Sequence, residues 1–217
     1  MSALLRYAIM KSMRDHLLAG LLLAPLVLAS APMLGMAVGS MFRGEPVYPF
    51  HVPESSPQGT FDTFGVVAMI VSALVAGIGA FWIFRSEIAS RAVHFFFLAH
   101  PPRAVSATSA IYGFVVGLLA YSISRTAITL MTAAPQPHAA RDFAVAAVAI
   151  WIGSALGSLL VAISSEAAIL VIAYAVVIVA TVQLLQSVTV VRMGIAILFA
   201  AVLLQAAAIV LRRRCAS

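Results

Sequence analysis

The chain has 217 residues, 63% of them hydrophobic and 9% charged, with a formal net charge of +6. Soluble domains carry roughly 25% charged residues, and so few polar groups cannot cover a water-facing surface, which excludes an ordinary soluble globular protein. The basic residues sit at the ends of apolar runs and not in a stripe, which excludes a nucleic-acid interface and fits the flanks of membrane spans. A bilayer core about 30 Å thick demands about 20 consecutive apolar residues per helix. Several such runs occur, so the expected fold class is an all-α integral membrane protein, with one transmembrane domain over residues 1–217.

Residues 1–16 place Leu4, Leu5, Ala8, Ile9 and Met13 at helical spacing, with Arg6, Lys11, Arg14 and Asp15 around them. That pattern predicts an amphipathic helix along the membrane surface. A cleaved signal peptide is the rival, but the apolar run continues from Leu17 to Met41, too long for its short core, so a retained first span over 17–41 is expected. This span contains Pro25 and Pro32 and ends in Gly35 to Gly39, features that kink a helix and let neighbours approach. Phe42 to Phe61, with four prolines at 46, 49, 53 and 57, reads as a loop outside the membrane.

Further spans are expected over 64–84, 106–131, 143–163, 167–185 and 193–211, making six. Sorting the connections alternately onto two sides puts Arg6, Lys11, Arg14, Arg85, Arg91, Arg103, Arg212, Arg213 and Arg214 on one side and Arg43, Arg141 and Arg192 on the other. By the positive-inside rule both termini are expected in the cytoplasm, in an inner (plasma) membrane. The single cysteine, Cys215, excludes an intrachain disulfide framework and a multi-cysteine metal site. Beside three arginines it reads as an incidental cytoplasmic thiol or a palmitoylation site.

Between the second and third spans, residues 85–103 combine Arg85, Glu87, Arg91, His94 and His100 with Phe95, Phe96, Phe97 and Leu98, then Pro101, Pro102 and Arg103. Glu87 and Arg91 are four apart with the acid first, the favourable order for a helical pair. A short helix ending at the double proline is predicted. Its aromatic residues point to more than one side, a surface that suits either lipid headgroups or a partner.

Glu87, Arg91 and the run from Phe95 to Arg103, placed between the second and third of six spans, resemble the cytoplasmic coupling segment of the ABC transporter type 2 permease family. Members carry an acidic residue about ten positions ahead of a Leu-Ala-x-Pro sequence followed by a base; the matching positions are Glu87, Leu98, Ala99, Pro101 and Arg103. The resemblance implies a permease subunit of an ABC exporter, with Glu87, Arg91, Phe95, Leu98, Pro101 and Arg103 docking on a separate ATP-binding cassette subunit. It also implies a second permease chain, as homodimer or heterodimer, in the lipid bilayer. No Gly-rich phosphate loop occurs in this chain, so ATP and Mg would be held by the partner subunit, and no enzyme activity or cofactor is expected here. A membrane-embedded scaffold without transport of its own is the alternative.

Arg125, within the third span near Ser122, Ser124, Thr126 and Thr129, is a candidate pathway residue or a structural anchor snorkelling to the outer surface. Glu166 is expected to cap the fifth span, and Gln183, Gln186 and Gln205 to bond between helices. Gly153 to Gly157 with Ser158 reads as a small-residue packing face. An intramembrane hydrolase would need paired carboxylates, a serine in a glycine-framed elbow or clustered histidines, and the sequence has none of these.

Overall fold

The computed structural model describes residues 2–24, 26–27, 41–42, 44, 63–89, 93–132, 139–164, 176 and 190–216. Among these residues every regular element is helical: α1 (Ser2–Arg14), α2 (Thr63–Trp82), α3 (Arg85–Ala89), α4 (Val93–Ala99), α5 (Pro102–Thr132), α6 (Ala139–Ile163) and α7 (Val190–Ala216). A further helical stretch, 17–24, follows α1.

Four helices are long and apolar enough to cross a bilayer: α2, α5, α6 and α7. They are the expected second, third, fourth and sixth spans. The expected first span, 17–41, is described only over 17–24, 26–27 and Met41, and the expected fifth, 167–185, lies outside the described residues except for Val176. Four of the six expected spans are therefore in view.

Three of these helices, α5, α6 and α7, outrun the apolar stretches that predicted them. α5 begins at Pro102, four residues before the expected start, because proline at the first helical position lacks only an N–H that would have no partner there. The Pro101 carbonyl receives the amides of Ala104 and Val105 at 2.8 and 3.2 Å. α6 begins at Ala139 and so takes in Arg141 and Asp142, which the hydropathy pattern leaves outside the span. The second span, expected to reach Phe84, ends at Trp82 in a turn at 83–84.

α2 packs between α5 and α6, and small residues set how closely. A Cβ at Gly117 of α5 would stand 2.7 Å from Ile150 Cγ2 and 2.8 Å from Ala76 Cβ. At Gly153 and Gly157 of α6 it would run into the backbone carbonyls of Ala73 and Gly77 in α2. The expected packing face on α6 thus meets a matching face on α2 almost backbone to backbone, and in lipid such close van der Waals contact is what holds helices together. α6 is the inner helix, 78% buried over its span, whereas α7 is 28% buried and peripheral. Gln205 is exposed on α7.

α1 has two apolar faces. Leu4, Ala8 and Ser12, spaced by four, are buried against the bundle, while Ile9, Met10 and Met13 point outward between Arg6 and Arg14. Outward apolar groups flanked by arginines suit a headgroup boundary. The helix ends where His16 adopts a left-handed φ of 53°, a conformation that stops α-helical propagation and redirects the chain into 17–24.

Candidate functional site at one end of the bundle

The end of α2, the start of α5, the end of α6 and the end of α7 meet at one end of the bundle, together with α1, α3 and α4. Leu4, Phe81, Phe84, Ile88, Val105 and Leu211 share one buried cluster there. Arg214 at the end of α7 donates to the Ile163 carbonyl at the end of α6, at 2.6 Å.

Glu87 of α3 is the polar centre of this end. Its carboxylate accepts from Lys11 Nζ at 2.8 and 2.7 Å, from the Tyr7 hydroxyl at 2.6 Å and from Ser86 Oγ at 2.8 Å. A carboxylate offers about four acceptor sites, so these contacts saturate it. The Lys11 and Glu87 side chains are 10% and 16% exposed. Burial disfavours the Glu87 charge, but the hydrogen bonds from Lys11, Tyr7 and Ser86 outweigh it and hold the carboxyl below its usual range. Tyr7 responds in the opposite sense: its hydrogen bond to Glu87, with some burial and the carboxylate's charge, pushes it up to about 12.

Lys11 has a second task. Its Nζ also donates to the Ile83 carbonyl at 2.8 Å and to Ser86 Oγ at 2.7 Å. Ile83 lies just past the last residue of α2, where carbonyls leave the helical ladder and a cation is favoured. One lysine therefore caps α2, fixes α3 and docks α1.

Aromatic contacts extend the same tie. Tyr7 stacks on Phe84 at 6.5 Å, Phe84 meets Phe96 at 5.8 Å, and Phe96 meets His100 at 5.3 Å, joining α1, the 83–84 turn and α4. The expected single short helix is two, α3 and α4, with 90–92 outside the described residues. Phe96 and Phe97 are half-buried against the bundle, while Leu98 is 83% exposed. Pro101 and Arg103 are also exposed.

The expected docking residues thus divide. Leu98, Pro101 and Arg103 face outward, whereas Glu87 is turned into the protein, bonded to α1. Arg91, its expected helical partner, lies outside the described residues, as does the Phe95 side chain. Arg125 belongs to the opposite end: its guanidinium is 3.6 Å from Asp142 of α6, with side chains 12% and 10% exposed. That distance is an ion pair and too long for a good hydrogen bond. Glu166, Gln183 and Gln186 lie outside the described residues.

Lys11 and Tyr7 escaped the sequence reading because they stand 76 and 80 residues from Glu87. One signal was present: Lys11 follows Ala8 by three positions, at the edge of the buried face, where a lysine must find a counter-charge or snorkel.

Ser158, on the small-residue face of α6, donates to the Ser106 carbonyl at 3.1 Å and lies 3.2 Å from Ser106 Oγ, which in turn reaches the Leu204 carbonyl at 3.3 Å. This is a junction of α5, α6 and α7 built from hydroxyls and carbonyls, groups that do not act as a general base. Among the described residues no group of three or more His, Cys, Asp or Glu could hold a metal. In comparisons with family models, with curated proteins and with solved structures, nothing matches this chain.

Proposed function

We propose that this chain is the transmembrane permease subunit of an ATP-driven transporter of the exporter type, worked by a separate ATPase that docks on residues 85–103. The observation that carries the reading is the mounting of Leu98. It is 83% exposed on a seven-residue helix whose other face is packed by Phe96 and Phe97 and which passes through Pro101 directly into α5. A push on α4 would reach a candidate span without a slack loop between. Leu98, Pro101 and Arg103 form the contact surface in this reading, and Glu87 holds the segment to α1. A partner engaging Glu87 would have to displace Lys11 or Tyr7 first.

ATP and Mg are bound by the partner in this reading, and the 85–103 end faces the cytoplasm, the side to which the basic residues of the sequence sort. A second permease chain has α7 available to it, the most exposed of the four candidate spans.

The test is co-purification with candidate ATPases carrying a phosphate loop, followed by Leu98→Glu. Association and a roughly tenfold fall in stimulated ATP hydrolysis, with membrane insertion intact, are expected. If no ATPase associates, or if Leu98→Glu changes neither association nor hydrolysis, the reading fails and a scaffold without transport takes its place.

A further inference from the structure

α7 is held to the bundle by one face. Ala196, Ala200, Ala207, Ala208 and Leu211 are buried on the side that meets α5 and α6. The opposite side carries Val191, Ile195, Leu198, Val202, Gln205, Ile209 and Arg212, all exposed. Its five apolar members are between 54% and 71% exposed.

These positions follow one another alternately four and three residues apart. That spacing is the heptad seam of a left-handed coiled coil, with Ile195, Val202 and Ile209 at one core position and Val191, Leu198 and Gln205 at the other. β-branched residues at the first position with leucine at the second favour two parallel strands, and membrane helices commonly pair with the same crossing.

Apolar side chains on such a face suit lipid as well as a partner, but Gln205 does not. It stands seven residues from Arg212, about 10 Å at 1.5 Å per residue, which is further than its own side chain reaches toward the headgroups. Its amide offers a carbonyl acceptor and two N–H donors, yet it has no hydrogen-bond partner among the described residues. A polar group open to hydrocarbon costs free energy until it is paired. Two copies inserted the same way round have parallel α7 helices, and a two-fold axis sets each seam residue against its own counterpart. The amide is self-complementary there, each carbonyl receiving an N–H from the other copy. An apolar helix of another protein would leave it unmet. Arg212 ends the seam at the polar boundary, where water screens the two guanidinium charges.

We propose that two copies of this chain pair through α7 along the Val191 to Arg212 seam, with the two Gln205 amides hydrogen-bonded to each other inside it. The pairing does not rest on the ATPase of the transport reading: a scaffold could pair in the same way, and either test can fail while the other succeeds.

The full chain, in a Cys215→Ser background, would be reconstituted in liposomes, and pairing followed by energy transfer between donor- and acceptor-labelled copies as lipid is added. A dimer that dissociates on dilution is expected; Gln205→Leu should weaken it roughly tenfold, and Gln205→Asn, which keeps the amide, should retain most of it. On oxidation, Leu198→Cys or Val202→Cys should join two chains roughly tenfold faster than Ile197→Cys, which is exposed on the same helix but off the seam. A monomer at every protein-to-lipid ratio, unchanged pairing in Gln205→Leu, or equal cross-linking on and off the seam would each overturn the proposal. A photo-crosslinker at position 198 that captured residues 167–185 of its own chain in place of a second copy would overturn it too. Leucine is tolerated at a lipid-exposed position, so Gln205→Leu should fold as the parent does. A loss of stability in that variant when diluted to monomer would place the partner of Gln205 within its own chain and likewise overturn the proposal.

Discussion

The two ends of the bundle solve the same problem, a charge held inside a largely apolar protein, in different ways. At the 85–103 end, Glu87 has one cation and two hydroxyls around it, and Lys11 has a backbone carbonyl and a hydroxyl besides its carboxylate. At the other end, Arg125 and Asp142 face each other at 3.6 Å across α5 and α6. The first arrangement is a hydrogen-bonded network drawn from three elements; the second is a pair whose attraction depends on the low dielectric around it. The network is held by contacts of hydrogen-bond length, whereas the two charges of the pair face each other at a longer distance.

The largest effect is expected at the pair, whose two charges both lie within candidate spans. Asp142→Asn or Arg125→Met alone should cost about 3–5 kcal/mol, because each removes the opposite charge that faces a buried one. The double variant Arg125→Met/Asp142→Leu should recover most of that loss. Unfolding in mixed detergent micelles measures it, and additive single losses would show that the two residues are not coupled. If the proposed transport is found, full transport in a stable double variant would also remove Arg125 as a candidate pathway residue.

At the network, Glu87→Gln or Lys11→Met should cost about 1.5–3 kcal/mol, the range of hydrogen bonds to charged groups. A spin-label distance between α1 and α3 should lengthen in either variant. The same distance reports pH. Glu87 is depressed below its ordinary value of 4.5, so its contribution is complete above that value and is lost as pH falls through the lower, folded value. Tyr7 is raised from 10.0 to about 12, so its contribution is complete below pH 10 and is lost between pH 10 and about 12. Glu87→Gln should remove the acid transition, and Tyr7→Phe should remove the part of the alkaline one that belongs to the phenol. An α1 to α3 distance that stays constant from acid to alkali would show that this network does not dock α1.

The smallest effect is expected at the serine junction between the ends. Ser158→Ala should cost about 0.6 kcal/mol, the average for interhelical hydrogen bonds in membrane proteins, and should leave any activity unchanged. A large loss of activity with unchanged stability would show that Ser158 does more than pack α6 against α5.

Much of this arrangement was legible from residue order. Apolar runs of span length marked α2, α5, α6 and α7, because the hydrocarbon core sets the length and permits few alternatives to helix. The packing face of Gly153 and Gly157 was readable from spacing, whereas the sequence put apolar bulk on more than one side of 85–103 without saying that Leu98 is the outward residue. Helix ends were less legible: Arg141 and Asp142 break the apolar run but not the helix, since an acid in the first turn is favoured by the helix dipole. The division of 85–103 into α3 and α4 was not foreseen.

The sequence by itself determined that this is a helical protein with membrane-length spans, a basic two-sided α1 and a polar segment between its second and third expected spans. These follow from composition and short-range periodicity, which depend on residues within a few turns of one another. Only the tertiary structure decided that Glu87 belongs to Lys11 and Tyr7 and that Arg125 belongs to Asp142. Each of those pairings joins different helices, and the partner of a charge across such a distance is chosen by how the helices pack. Spacing along the chain carries no such information.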